Sequence, residues 1–116
     1  MTFGEYIRTQ REALRETDRC FSVRQVAKRI DIEPSYLSKI ERGHQSPPSE
    51  DTIRKLADDL GENADVLLAM AGKVSGDLRE VIIRRPELFA ELLRQLKDTP
   101  DHAVLRVVRV VRDGAW

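Results

Sequence analysis

Within RIDIEPSYLSKIERG (residues 29–43), the side chains of Ser35, Tyr36, Ser38, Lys39 and Arg42 recur at helical spacing once the apolar residues are set aside. These are short polar and basic groups, suited to donating hydrogen bonds to phosphate oxygens and base edges. No arrangement in the chain suits catalysis as well. The only histidines are His44 and His102, and Cys20 is the single cysteine, so neither a metal-ligand set nor an intramolecular disulfide can be assembled. Glycine-rich phosphate loops and a supported Ser/His/Asp grouping are also missing. The expectation is therefore a binding surface, with no enzymatic activity and no cofactor.

Elements must hold that surface in place. Charged residues make up 34% of the 116 positions and aromatic residues 5%, so the core has to come mostly from Leu, Ile, Val and Ala, a mixture that favours an all-α bundle. No run approaches the roughly 18 apolar residues of a membrane span, and Met1 to Arg8 has no signal-peptide pattern, so a cytoplasmic location without membrane contact is expected. Net charge is zero, with 20 basic and 20 acidic residues, yet the charges are not evenly spread. Arg8 to Arg42 holds nine basic and six acidic residues, a net +3, whereas Gly43 to Ala71 holds two and six, a net −4. Local potential governs contact with a polyanion, and the basic excess coincides with the polar set.

Phe3, Tyr6, Ile7, Ala13 and Leu14 fit one face of a first helix over 3–15, followed by RETDRC as a loop. Ser22 is placed to cap a second helix, with Gln25 as its capping-box partner and Val23, Val26, Ala27 and Ile30 as the buried stripe. Asp31 ends that helix where the chain needs a left-handed residue, and the next begins with Pro34 or Ser35 and stops at Gly43. Two short helices joined by about three residues form a helix-turn-helix unit. Ala27 would lie at their crossing, with Ile32, Leu37 and Ile40 beneath. Ser49 caps a fourth helix with Ile53, Leu56, Ala57 and Leu60 inward, and a fifth, 63–71, turns Val66, Leu67 and Met70 to the core.

The segment SVRQVAKRIDIEPSYLSKIERG, continued by PPSEDTIRKLADDLG, resembles the helix-turn-helix domain of the Xre/Cro family of bacterial and phage regulators, with its lambda-repressor-like fold of five helices. The resemblance implies an all-α DNA-binding domain over residues 1–71. It also implies that the third helix enters the major groove, with base contacts from Pro34, Ser35, Tyr36 and Lys39 and with Glu33 alongside. Lys39 would donate to guanine O6 and N7, Ser35 would donate or accept, and Pro34 would offer only apolar contact. Ser22, Arg24, Lys28, Ser38, Arg42 and His44 fall at positions that touch phosphates. Arg11 and Glu41 fall where the family forms a structural ion pair between its first and third helices. Three departures stand out: Asp31 replaces the usual glycine at the turn, Val23 replaces a polar residue that often binds phosphate, and the loop before Ser22 is about four residues longer than usual.

Residues 72–76, GKVSG, read as a linker, and residues 77–116 as a helical extension. Pro86 and Pro100 each suit a first helical turn. The three-residue spacing of Arg106, Arg109 and Arg112 makes LRVVRVVRD a helix rather than a strand. The apolar stripes of this extension point to dimerisation. The expected function is a sequence-specific regulator of transcription, a repressor that binds double-stranded DNA at an inverted repeat as a homodimer. The alternative is an antitoxin-like or adaptor protein whose main partner is another protein, a toxin or a peptidase. Trp116, an aromatic residue at the end of the chain, could dock on its own chain or on a second copy.

Overall fold

A computed structural model describes residues 1–116 as eight α-helices and one short 3-10 turn, with no strand. The chain divides into two units, Met1–Ser75 and Gly76–Trp116. In the first, α1 is Phe3–Arg15, the 3-10 turn Arg19–Phe21, α2 Val23–Arg29, α3 Pro34–Glu41, α4 Glu50–Leu60 and α5 Ala64–Met70.

Each boundary has a local cause. Thr2 opens α1 with a full capping box: its hydroxyl accepts from the Glu5 amide and the Glu5 carboxylate accepts from the Thr2 amide, both at 3.1 Å. Ser22 caps α2 by accepting from the Gln25 amide at 3.2 Å, but the Gln25 side chain does not return the bond, so the expected box is half formed. Pro34 fills the first position of α3, Ser49 caps α4 and Asn63 caps α5. Helices α2 and α3 both close with paired bonds over a left-handed residue. At the end of α2 that residue is Asp31 with φ 61°, and the Ile32 amide donates to the Ala27 carbonyl at 3.0 Å. At the end of α3 it is Gly43 with φ 75°, and the His44 amide donates to the Lys39 carbonyl at 2.8 Å.

The core collects Phe3, Ile7, Val26, Ala27, Ile30, Leu37, Ile40, Ile53, Leu56, Ala57, Leu60, Leu67 and Leu68. Helix α1 packs on α3 and α4, α2 packs on α3 and α4, and α5 packs on α4. Several expected inward residues are placed otherwise. Val66 is 53% exposed and Leu68 takes its place, because Leu67, Leu68 and Ala71 share a face with Ala64 that Val66 lies off. Ala13 is exposed, Met70 is half-buried, and Val23 and Ile32 pack at the rim of the core rather than within it. The stretch RETDRC is not wholly irregular, since Arg15 still belongs to α1 and Arg19–Cys20 start the 3-10 turn, which Asp18 caps by accepting from the Cys20 amide at 2.8 Å.

Between α5 and the next helix, the Lys73 ammonium donates to the Pro48 carbonyl at 2.8 Å and Ser75 is buried. The second unit contains α6, Gly76–Arg84; α7, Pro86–Leu96; and α8, Asp101–Arg112. LRVVRVVRD is helical as its arginine spacing requires, while Pro100 stands just before the first turn of α8, at the N-cap position. None of these three helices contains a buried residue.

Candidate nucleic-acid interface

Helix α3 owes its position to contacts on its inner face. Gly4 of α1 lies against the α3 backbone so closely that a Cβ there would collide with the Ile40 carbonyl oxygen. About two turns further along α1, Arg11 forms a two-pronged bond to Glu41, Nε to Oε2 at 2.7 Å and Nη2 to Oε1 at 2.8 Å, while Nη1 donates to the Phe21 carbonyl at 3.1 Å. Both side chains are nearly fully buried, at 3% and 5% exposure. The hydrogen bond that Arg11 donates to Glu41 raises its pKa above the ordinary value, outweighing the opposing effect of burial. One guanidinium therefore joins α1, the 3-10 turn and the C-terminal end of α3. On the other side, Ala27 of α2 is completely buried, which lets α2 and α3 pack closely.

Anchored in this way, α3 turns the rest of its side chains outward. Glu33, Pro34, Ser35, Lys39 and Arg42 are exposed, and Tyr36 and Ser38 are half-buried. Arg24 and Lys28 of α2 are exposed, Ser22 is half-buried with its hydroxyl engaged in the cap, and His44 is exposed just past α3. Arg42 folds back so that its Nε donates to the Ser38 carbonyl at 3.3 Å, which leaves the other guanidinium nitrogens for an external acceptor. Lys28, Asp31, Ile32, Glu33 and Tyr36 line a shallow depression over the turn, so two carboxylates stand beside the lysine.

One cation was not anticipated. Arg8 lines a second depression with Val23, Ser38 and Arg42, and it pairs with Glu12 at 3.1 Å on the surface of α1. Its sequence signal is one helical turn from Arg11, i to i+3, which sets it beside the same end of α3. Arg29 points elsewhere: it clamps Asp59 of α4 at 2.6 and 3.0 Å and lies 5.0 Å from the centroid of the Phe21 ring, a tie between α2 and α4 that nothing in the motif predicts. Its pKa is raised, first by the hydrogen bond to Asp59. No group of three or more His, Cys, Asp or Glu side chains is placed to hold a metal ion, and no helix is long and apolar enough to cross a membrane.

Comparison with known proteins bears on this region. Uncharacterized HTH-type transcriptional regulators of Mycobacterium tuberculosis, from the CDC 1551 / Oshkosh and H37Rv strains, are each 39% identical over 69 residues. The match covers 60% of this chain but 45% of each relative, so the chain spans less than half the length of the curated relatives it matches. No solved structure matches. A family model described as helix-turn-helix matches residues 12–67, from within α1 to within α5, and takes in both helices of the motif and the whole outward face of α3. Residues 12–67 therefore form a helix-turn-helix domain of that family, with its all-α, lambda-repressor-like fold.

Proposed function

We propose that the chain is a sequence-specific regulator of transcription that binds double-stranded DNA as a homodimer and represses from an inverted-repeat operator. The carrying observation is the outward face of α3, where Ser35 and Lys39 stand exposed on a helix fixed from beneath by Gly4, Glu41 and Ala27. A rigid helix with polar, unengaged side chains along one face has the geometry needed to read base edges, and the cations Arg24, Lys28, Arg42 and Arg8 around it suit phosphates. Helix-turn-helix regulators are generally non-enzymatic, and this reading assigns the chain no reaction. A dimer occupying its operator represses by excluding polymerase, with no further contact needed.

A two-fold dimer sets its recognition helices about 34 Å apart, so half-site centres should be roughly 10 base pairs apart or a multiple of that spacing. Selection of bound duplexes from a random pool is the test. An enriched inverted repeat supports the reading, and a pool with no enrichment overturns it. Within the selected site, Lys39→Ala should relax preference at one position per half-site and cost about 1–3 kcal/mol. Arg24→Ala should weaken all sequences alike and lower the salt slope by about one. Equal affinity and unchanged preference for Lys39→Ala would mean that α3 is turned differently in the groove. The uncovered faces of α6–α8 favour a second reading, an antitoxin or adaptor holding another protein there. That reading requires the faces of α6–α8 to stay uncovered in the chain alone.

A further inference from the structure

Ten large apolar side chains between Leu78 and Val111 are 39–66% exposed, and α6, α7 and α8 bury nothing. Contiguous apolar surface beyond a few hundred Å² marks an interaction site. Charge indicates what covers it. On α7, Glu87 and Glu91 lie one turn apart on the flank beside Leu88 and Leu92. On α8, Arg106 and Arg109 lie one turn apart beside Val110. None of the four has a hydrogen bond or ion pair within the chain, whereas Arg112 pairs locally with Asp113 at 3.3 Å. At 1.5 Å rise per residue the carboxylates are about 6 Å apart along their helix and the guanidiniums about 4.5 Å, a mismatch that flexible arms absorb.

We propose that α7 of one chain packs on α8 of a second copy, apolar face to apolar face, with Glu87 and Glu91 opposite the partner's Arg106 and the partner's Arg109. The proposal rests on the homodimer reading above and specifies its pairing surface. Both apolar faces and both charge pairs belong to one chain, so a two-fold arrangement forms the contact twice and satisfies every group. A partner carrying one sign of charge would match one pair and leave the other desolvated without a counter-charge.

The test uses the full chain in three forms: wild type, Arg106→Glu with Arg109→Glu, and Glu87→Lys with Glu91→Lys. Sedimentation should show a wild-type dimer. Each double variant, with helical content unchanged by circular dichroism, should dimerise about 100-fold more weakly because like charges now face each other. Mixed in equal amounts, the two variants should regain a dimer containing one chain of each. If the wild type is a dimer and either variant alone is equally dimeric, or if the folded variants fail to pair when mixed, the surface is wrong while the homodimer reading stands. A monomeric wild type overturns both.

Discussion

Helices α4 and α7 are each eleven residues long and each carries a leucine-rich stripe, yet α4 buries Ile53, Leu56, Ala57 and Leu60 while α7 buries nothing. The units that contain them differ in the same way. In residues 1–75, small residues let the helices approach: Gly4 meets the α3 backbone and Ala27 and Ala57 are wholly buried. Side chains distant in sequence then lock the approach, with Arg11 to Glu41, Arg29 to Asp59, and the Tyr6 hydroxyl donating to Glu62 at 3.1 Å. Around α7 and α8 the side-chain bonds are local, such as the Thr99 hydroxyl to the Gln95 carbonyl at 2.7 Å. Amphipathicity supplies a surface to bury. Close approach and long-range ties decide whether a single chain buries it.

Breaking the best tie should have the largest effect. Glu41→Ala leaves the buried Arg11 guanidinium without its counter-charge and should cost about 3–5 kcal/mol, read as a fall in the urea midpoint. A loss below about 1 kcal/mol, the range of surface pairs, would mean that the bridge is not desolvated. Next comes the direct contrast of α4 with α7. Leu56→Ala empties part of a packed core and should cost about 2–5 kcal/mol. Leu92→Ala, in protein dilute enough to be monomeric, should change stability by less than about 0.5 kcal/mol. Equal losses at the two sites would erase the distinction between the units.

The smallest effect is confined to alkaline solution. Tyr6 has a raised pKa, from burial first and then from its bond to the Glu62 carboxylate. A raised folded value means that the neutral phenol is favoured in the native state. Its contribution is present below about pH 10, the ordinary tyrosine value, and is lost as pH rises through the higher folded value. Tyr6→Phe should flatten the decline in stability above that pH. An identical decline in the variant would assign it to other groups.

Much of this organisation was legible in the sequence because it depends on neighbours along the chain. Ser22, Ser49, Pro34, Asp31 and Gly43 act within a few residues of themselves, so helix limits follow from residue type and spacing. The outward face of α3 was equally plain, since helical periodicity separates Leu37 and Ile40 from Ser35 and Lys39. What could not be read was contact between distant segments. Nothing near Arg29 distinguishes a partner of Asp59 from a phosphate ligand. Val66 was misplaced for a related reason: a seven-residue helix has too few turns for its apolar pattern to choose between adjacent leucine and valine faces.

The close seat of α3 against Gly4 has a consequence for engineering. Ile40 and Glu41 meet α1 through backbone atoms, and the groups that fix the helix are separate from those that face outward. Under the DNA-binding function proposed above, positions 34, 35 and 39 can therefore be randomised together in a library for new target sequences while the mounting stays intact. Residue 4 has to remain glycine throughout, because any side chain there would shift α3, and all three positions with it, at once and make the resulting variants impossible to compare from clone to clone.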